Sequence, residues 1–305
     1  MDPGQTPRKK HSVFSGMTGL KSLVVGMNGT IGGALFSRLQ ASAWGTTHRR
    51  ESQYPRHVFY LNLLDHPNTW QFPDIKFDVV YLCAGVCRMA LCENEPANAR
   101  QVNISGMSAL IQRLANTGAF IVFLSTNQVF SGERSFELPN AAYQPMNEYG
   151  RQKAEMENWI KANCDIYAIV RLTKVVEQNM SLVKSWIDKL MLNQPIDAFH
   201  DMPLAPVSLR QVLDTLITIG QKKQTGSYQI SGALDISYFD LANYLATCLK
   251  RPTTLVQSVS ALNVGIKKIF LPRFTTLDCS STIALGSEVP PHFSEVLHEC
   301  FDITE

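Results

Sequence analysis

The chain has 305 residues, 45% apolar and 18% charged, which describes a globular protein and excludes wholesale disorder. A formal net charge of +2 gives no electrostatic case for a nucleic-acid partner or an anionic membrane, and no apolar run is long enough to span a bilayer. Seven cysteines (83, 87, 92, 164, 248, 279 and 300) form no Cys-x-x-Cys pair and no Cys/His cluster, so they read as reduced core thiols of a cytoplasmic protein, with no metal site.

Residues 1–17 are basic but lack the apolar stretch of a signal peptide, and they are expected to be a flexible tail. Residues 21–26 then read as a short buried strand, followed by a glycine-rich turn and a helix near 31–40. Strand-like runs recur at 44–47 and 58–61, and stronger, almost wholly apolar ones at 77–83 and 120–125, with a helical pattern at 97–116 between them. A helix over 147–162 and a strand over 166–171 complete this half. Strands without polar alternation are buried on both faces, and helices between them point to a parallel sheet: an α/β, Rossmann-type, doubly wound fold. After residue 172 the rhythm changes to helical stretches at 182–192, 208–220 and 238–249 separated by proline-containing loops. The expected organisation is a nucleotide-binding domain over 18–172 and a mainly substrate-binding lobe over 173–305. Residues 200–231, including a strand at 226–230, are expected to return to the sheet.

Gly26-Met27-Asn28-Gly29-Thr30-Ile31-Gly32 is a G-x-x-G-x-x-G run between a strand and a helix, the context a dinucleotide requires. Gly26 permits the turn, Gly29 lets the backbone approach a pyrophosphate, and Gly32 lets the helix pack on the sheet. The anion then meets free N–H groups around Asn28, Thr30 and Ile31. The second strand should end at the adenosine ribose, where a carboxylate would bind the 2′-hydroxyl of NAD. Here it is followed by His48-Arg49-Arg50, with no carboxylate before Glu51. Two guanidinium groups suit a 2′-phosphate, so NADP(H) is expected in preference to NAD(H), which stays open.

Tyr149 and Lys153 stand four apart in Tyr-Gly-Arg-Gln-Lys and share one helix face. Tyrosine titrates near ~10, and a neighbouring ammonium and oxidised nicotinamide would both favour phenolate. A shift of about three units corresponds to about 4 kcal/mol. In the reductive direction Tyr149 would protonate a carbonyl oxygen. Ser125 and Thr126 end the preceding strand, where ligands of open α/β sheets bind, and Thr126 is placed to hydrogen-bond the same oxygen while the other hydroxyl forms the turn.

The run Ser125-Thr-Asn-Gln-Val-Phe-Ser-Gly132, followed by Pro145, Asn147 and the Tyr149–Lys153 pair, resembles the dTDP-4-dehydrorhamnose reductase family of extended short-chain dehydrogenases/reductases. Cys83-Ala84-Gly85, Glu95-Pro96, Val102-Asn103, Ile169-Val170-Arg171 and Pro272-Arg273 with Leu277-Asp278 fit the same pattern. The resemblance implies an NADPH-dependent reductase acting on the keto group of a nucleotide-activated deoxysugar, with Thr126, Tyr149 and Lys153 catalytic. It implies Cys83, Ala84 and Gly85 at the cofactor, and Asn103, Asn127, Arg171 and Arg273 at the substrate. It leaves a homodimer open. The family also contains a regulatory subunit of methionine adenosyltransferase, so a catalytically silent NADP-binding subunit is an alternative, as is an NAD-retaining epimerase or dehydratase. Three positions depart from the family: Asn127 replaces aspartate, Leu271 the arginine before Pro272, and Phe274 an asparagine.

Overall fold

The structure, a computed structural model, describes residues 19–301 and 303, and the expected tail at 1–17 lies outside them. The first half runs β1 (Ser22–Val25), α1 (Thr30–Leu39), β2 (Ala43–Thr47), β3 (Val58–Tyr60), β4 (Val79–Leu82), α2 (Met89–Asn94), α3 (Pro96–Arg100), α4 (Met107–Ala115), β5 (Phe120–Thr126), α5 (Glu148–Asn163) and β6 (Tyr167–Leu172). The second half runs β7 (Lys174–Val176), α6 (Ser181–Met191), β8 (Ile196–Phe199), β9 (Pro203–Leu204), β10 (Pro206–Ser208), α7 (Leu209–Lys222) and β11 (Gly226–Ile230). It ends with β12 (Ile236–Ser237), α8 (Tyr238–Cys248), β13 (Val256–Val259), α9 (Ser280–Ala284) and α10 (Phe293–Phe301).

Seven strands form one parallel sheet in the order β11-β6-β5-β4-β1-β2-β3. Side chains alternate between its two faces and both faces are covered, which is why an inner strand such as β4 is almost wholly apolar. Val24, Val122, Leu124 and Val170 pack under α1 and α7, with Leu35, Leu216 and Ile217. Leu23, Val25, Ile121 and Phe123 pack against α4 and α5, with Leu110, Ile111, Met156 and Ile160. The expected doubly wound α/β architecture is the one found.

The strand order reverses beside β1, whose neighbours are β2 on one side and β4 on the other. Such a switch point opens a crevice at the carboxyl ends of the strands. Gly26 follows β1 and Cys83 follows β4, so both motifs reach that crevice.

The helix expected over 97–116 is not uniform. Its turns widen over Gln101–Gly106 into a π-type stretch between α3 and α4. Gly106 presses on Leu63 there, since a Cβ would lie 2.2 Å from the Leu63 carbonyl oxygen. Such bulges re-aim side chains, and Asn103 turns toward the loop after β4.

In the second half, β11 joins the sheet beside β6 and α7 covers one of its faces. Residues 203–208 pair outside the sheet: β9 with β12 and β10 with β7. Helices α6 and α8 share a separate core with β8 and β13, built on Val183, Trp186, Leu190, Leu241 and Leu245.

Candidate active site

Three glycines of the turn after β1 do different work. Gly26 has φ +89°, and a Cβ there would sit 2.8 Å from the Ala84 backbone. A Cβ on Gly32 would sit 2.3 Å from the Gly26 carbonyl oxygen and 3.2 Å from Cys83 Cβ. Both positions therefore press the turn, α1 and the segment after β4 together. Gly29 differs: it is exposed, and the nearest atom to a Cβ would be the Gly26 oxygen at 3.6 Å. It is also the N-cap of α1 and supplies no side-chain cap, and Asn28 and Thr30 beside it are exposed. Open N–H groups at a helix N-terminus are an anion site. Ile31 packs against the core beneath.

A cavity continues from Gly26 over Thr46, His48, Asn62, Leu63, Ala84 and Gly85. It lies at the switch point, where the adenosine half of a dinucleotide binds in folds of this kind. Arg49 and Arg50 do not line it. Arg50 lies over the Tyr60 ring, 4.4 Å from its centroid, with its guanidinium 3.6 Å from the Asp65 carboxylate. Arg49 is exposed beside His48. Of the two arginines expected to hold a 2′-phosphate, neither contributes to the lining of this cavity. His48, Asn62 and Leu63 are among the lining residues that sequence reasoning missed. Their only signal was their place just beyond β2 and β3.

The loop after β4 is held from behind by Asn103, which is 4% exposed. Its Oδ1 accepts from Val86 N at 2.8 Å, and its Nδ2 donates to Val86 O at 3.0 Å and to Gln152 Oε1 at 2.8 Å. Expected at the substrate, Asn103 instead has its amide fully engaged in tying this loop to α5. Gly85 needs its lack of a side chain, because φ is +155° and a Cβ would lie 3.1 Å from Asn103 Oδ1.

Tyr149 and Lys153 reach the crevice because of how α5 begins. Asn147 caps the helix, accepting from Gly150 N at 2.9 Å. Gly150 then lets the first turn rest on the loop after β5, since a Cβ would lie 2.0 Å from the Gln128 carbonyl oxygen. That contact brings Tyr149 beside Thr126 and Cys87, which line the same cleft. Lys153 Nζ donates to the Leu124 carbonyl oxygen at 2.8 Å and lies 4.5 Å from the Phe123 ring centroid.

The protein groups alone favour the phenol form of Tyr149. Burial pushes the Tyr149 phenol well above its ordinary value, and the neighbouring Cys87 adds to the effect, while the neighbouring Thr126 opposes it. Burial also lowers the Lys153 ammonium. Protein groups alone thus keep Tyr149 a protonated phenol rather than a phenolate, because desolvation outweighs the nearby ammonium.

The two hydroxyls ending β5 go to opposite faces, and the turn is made by Thr126 rather than by Ser125. Ser125 donates to Glu157 Oε1 behind the sheet. Thr126 faces the cleft, accepts from Gln128 N at 3.2 Å and donates to Asn127 Oδ1 at 3.3 Å. Asn127 in turn donates to Thr275 O at 3.5 Å, linking this strand end to the C-terminal segment.

Two arginines expected at the substrate are elsewhere. Arg171 is 0% exposed, and its Nη2 pairs with Glu157 Oε2 at 2.6 Å. Its Nη1 donates to Pro139 O at 2.9 Å and Gln229 Oε1 at 3.2 Å, so no donor faces the cleft. Arg273 is exposed and stacks on Phe274, 5.1 Å from the ring centroid. Its predecessor Pro272 points inward against Gly132, where a Cβ would meet Pro272 Cβ at 2.3 Å. Arg273 follows at a bend and is exposed.

The cleft itself is lined by Cys87, Met89, Thr126, Asn127, Gln128 and Tyr149 from the first half of the chain. From the second half come Thr173, Lys174, Met202 to Leu204, Tyr238, Phe270, Pro272 and Thr275. A phenol, a threonine hydroxyl and an aligned lysine at such a cleft can deliver a proton to a bound carbonyl oxygen.

Known proteins share both the sequence and the fold. Methionine adenosyltransferase 2 subunit beta of Bos taurus is 26% identical over 289 residues, covering 88% of this chain and 84% of its own. A dTDP-4-dehydrorhamnose reductase of Sinorhizobium fredii is 24% identical over 181 residues, covering 56% of this chain and 61% of its own. The crystal structure of dTDP-4-dehydrorhamnose reductase from Bacillus anthracis in complex with NADP superimposes with a TM-score of 0.76 at 19% identity, covering 92% of this chain and 98% of the other. The RmlD substrate binding domain family matches residues 20–305, and the chain belongs to that family.

Proposed function

We propose that the protein is an NADPH-dependent reductase of the keto group of a nucleotide-activated deoxysugar. The observation that carries this reading is that Thr126 and Tyr149 line one cleft together, with Lys153 one turn along the same helix. The dinucleotide would lie with its pyrophosphate on the backbone of residues 28–31, its adenosine in the pocket of His48 and Asn62, and its nicotinamide beside Gly85 and Lys153. NADP(H) is favoured over NAD(H) because no carboxylate is among the described residues lining the adenosine pocket, and the exposed Arg49 directly follows His48, which lines it. Bound there, reduced nicotinamide supplies the hydride.

The chain's own groups do the rest. Thr126 and Tyr149 hydrogen-bond the substrate carbonyl oxygen and polarise it. Tyr149, already a phenol, gives its proton to that oxygen as the negative charge develops. Lys153 supplies positive charge near the resulting phenolate and lowers the cost of forming it. The proton is then replaced from solvent through the open cleft. NADPH oxidation in the presence of nucleotide-linked keto sugars tests the reading.

A second reading is favoured by the methionine adenosyltransferase beta subunits, which align with 88% of the chain. In it the protein binds NADP(H) and serves a partner without turnover. That protein would bind cofactor, fail on every keto-sugar nucleotide, and bind its partner equally well with Tyr149→Phe.

A further inference from the structure

We propose that Lys174 is the anion anchor of the substrate cleft, holding a phosphate or carboxylate of the substrate while its carbonyl faces Tyr149. Lys174 opens β7 and lines the same cleft as Thr126 and Tyr149. Among the described lining residues it is the one charged side chain. The two guanidinium groups expected at the substrate are absent from the lining, Arg171 being sealed on Glu157 and Arg273 turned outward. The proposal rests on the reductase reading for the orientation of the substrate, though not for the binding of the anion.

The backbone holds Lys174 firmly in place. Thr173 donates to Ala205 O at 2.6 Å, and β7 pairs with β10 so that Lys174 lies opposite Pro206. Lys174 makes no ion pair among the described residues. It is open to the cleft, yet its neighbours desolvate the ammonium enough to lower its pKa. A partly desolvated cation without a counter-ion is unfavourable by itself. A ligand that brings an anion relieves that cost and gains a charge-assisted hydrogen bond. The remaining wall, with Met202, Leu204, Tyr238 and Phe270, suits the apolar faces of a sugar or base.

Two sources of the anion are separable. Uridine diphosphate, thymidine diphosphate, glucuronate and neutral glucose are titrated calorimetrically into wild type, Lys174→Gln and Lys174→Arg, each with and without NADPH. A diphosphate source predicts binding of the two nucleotides, and a sugar-acid source predicts binding of glucuronate. In either case Lys174→Gln weakens the anion about tenfold or more, Lys174→Arg retains most of the affinity, and NADPH binding is unchanged. Equal anion affinity in wild type and Lys174→Gln overturns the proposal, as does the absence of any anion binding to wild type. Anion binding that depends on Lys174 in a protein that oxidises no NADPH would instead count against the reductase reading alone.

Discussion

Arg171 and Glu157 form an ion pair sealed from solvent, with Nη2 and Oε2 2.6 Å apart and both side chains 0% exposed. Glu157 belongs to α5 and Arg171 to β6, so the pair fixes the helix carrying Tyr149 and Lys153 against the sheet. Removing one partner leaves the other charge buried and uncompensated. Arg171→Met is expected to lower unfolding stability by about 3–5 kcal/mol, and Arg171→Met with Glu157→Leu to recover much of that loss. Urea unfolding measures both. A single variant as stable as wild type would contradict a structural role for Arg171.

Two glycines three residues apart predict opposite outcomes. Gly29→Val has space, so thermal stability should stay near wild type while NADP(H) affinity, measured by fluorescence titration, falls steeply. Gly32→Ala drives a methyl into the Gly26 carbonyl and should cost about 1–3 kcal/mol of stability. Unchanged cofactor affinity in Gly29→Val would remove the pyrophosphate assignment.

Cofactor preference is expected to depend on Arg49 more than on Arg50, because Arg50 is already engaged with Tyr60 and Asp65. The double change to alanine should narrow the ratio of NAD(H) to NADP(H) dissociation constants, with Arg49→Ala giving most of the effect. A wild-type preference for NAD(H) in the same titration would defeat the idea.

Burial raises the folded-state pKa of Tyr149 above its unfolded value near ~10. The unfolded chain therefore releases this proton first as pH rises. The resulting stability is fully present below about pH 10 and is lost progressively above it. Thermal melts from about pH 8 to pH 11 should show a shallower alkaline decline in Tyr149→Phe than in wild type. Parallel declines would mean that Tyr149 is not the buried phenol described.

Much of the fold was legible in the sequence because both faces of the sheet are covered. Strands such as β4 and β5 then become unbroken apolar runs, and the glycine turn punctuates the first crossover. The Tyr149–Lys153 pair was legible for a similar local reason, since four residues make one helical face. The rest depends on distant partners. Arg171 on a strand resembles a functional cation until Glu157 is brought beneath it from fourteen residues earlier. Arg273 is exposed beside Pro272, which packs on Gly132, a contact no local pattern announces. Tyr149 stays a phenol because of burial by tertiary neighbours, and Lys174 reads as a surface charge until β7 aims it at the cleft.

The central claim is that Tyr149 is the proton donor of a keto-sugar reductase, and one comparison tests it most directly. NADPH oxidation is followed with a panel of nucleotide-linked keto sugars for wild type and for Tyr149→Phe, which keeps the ring and its packing. The expected result is turnover by wild type and a loss of about 10²–10⁴ in rate for the variant, with NADPH affinity retained. Equal rates, or no turnover by wild type with any member of the panel, would contradict it.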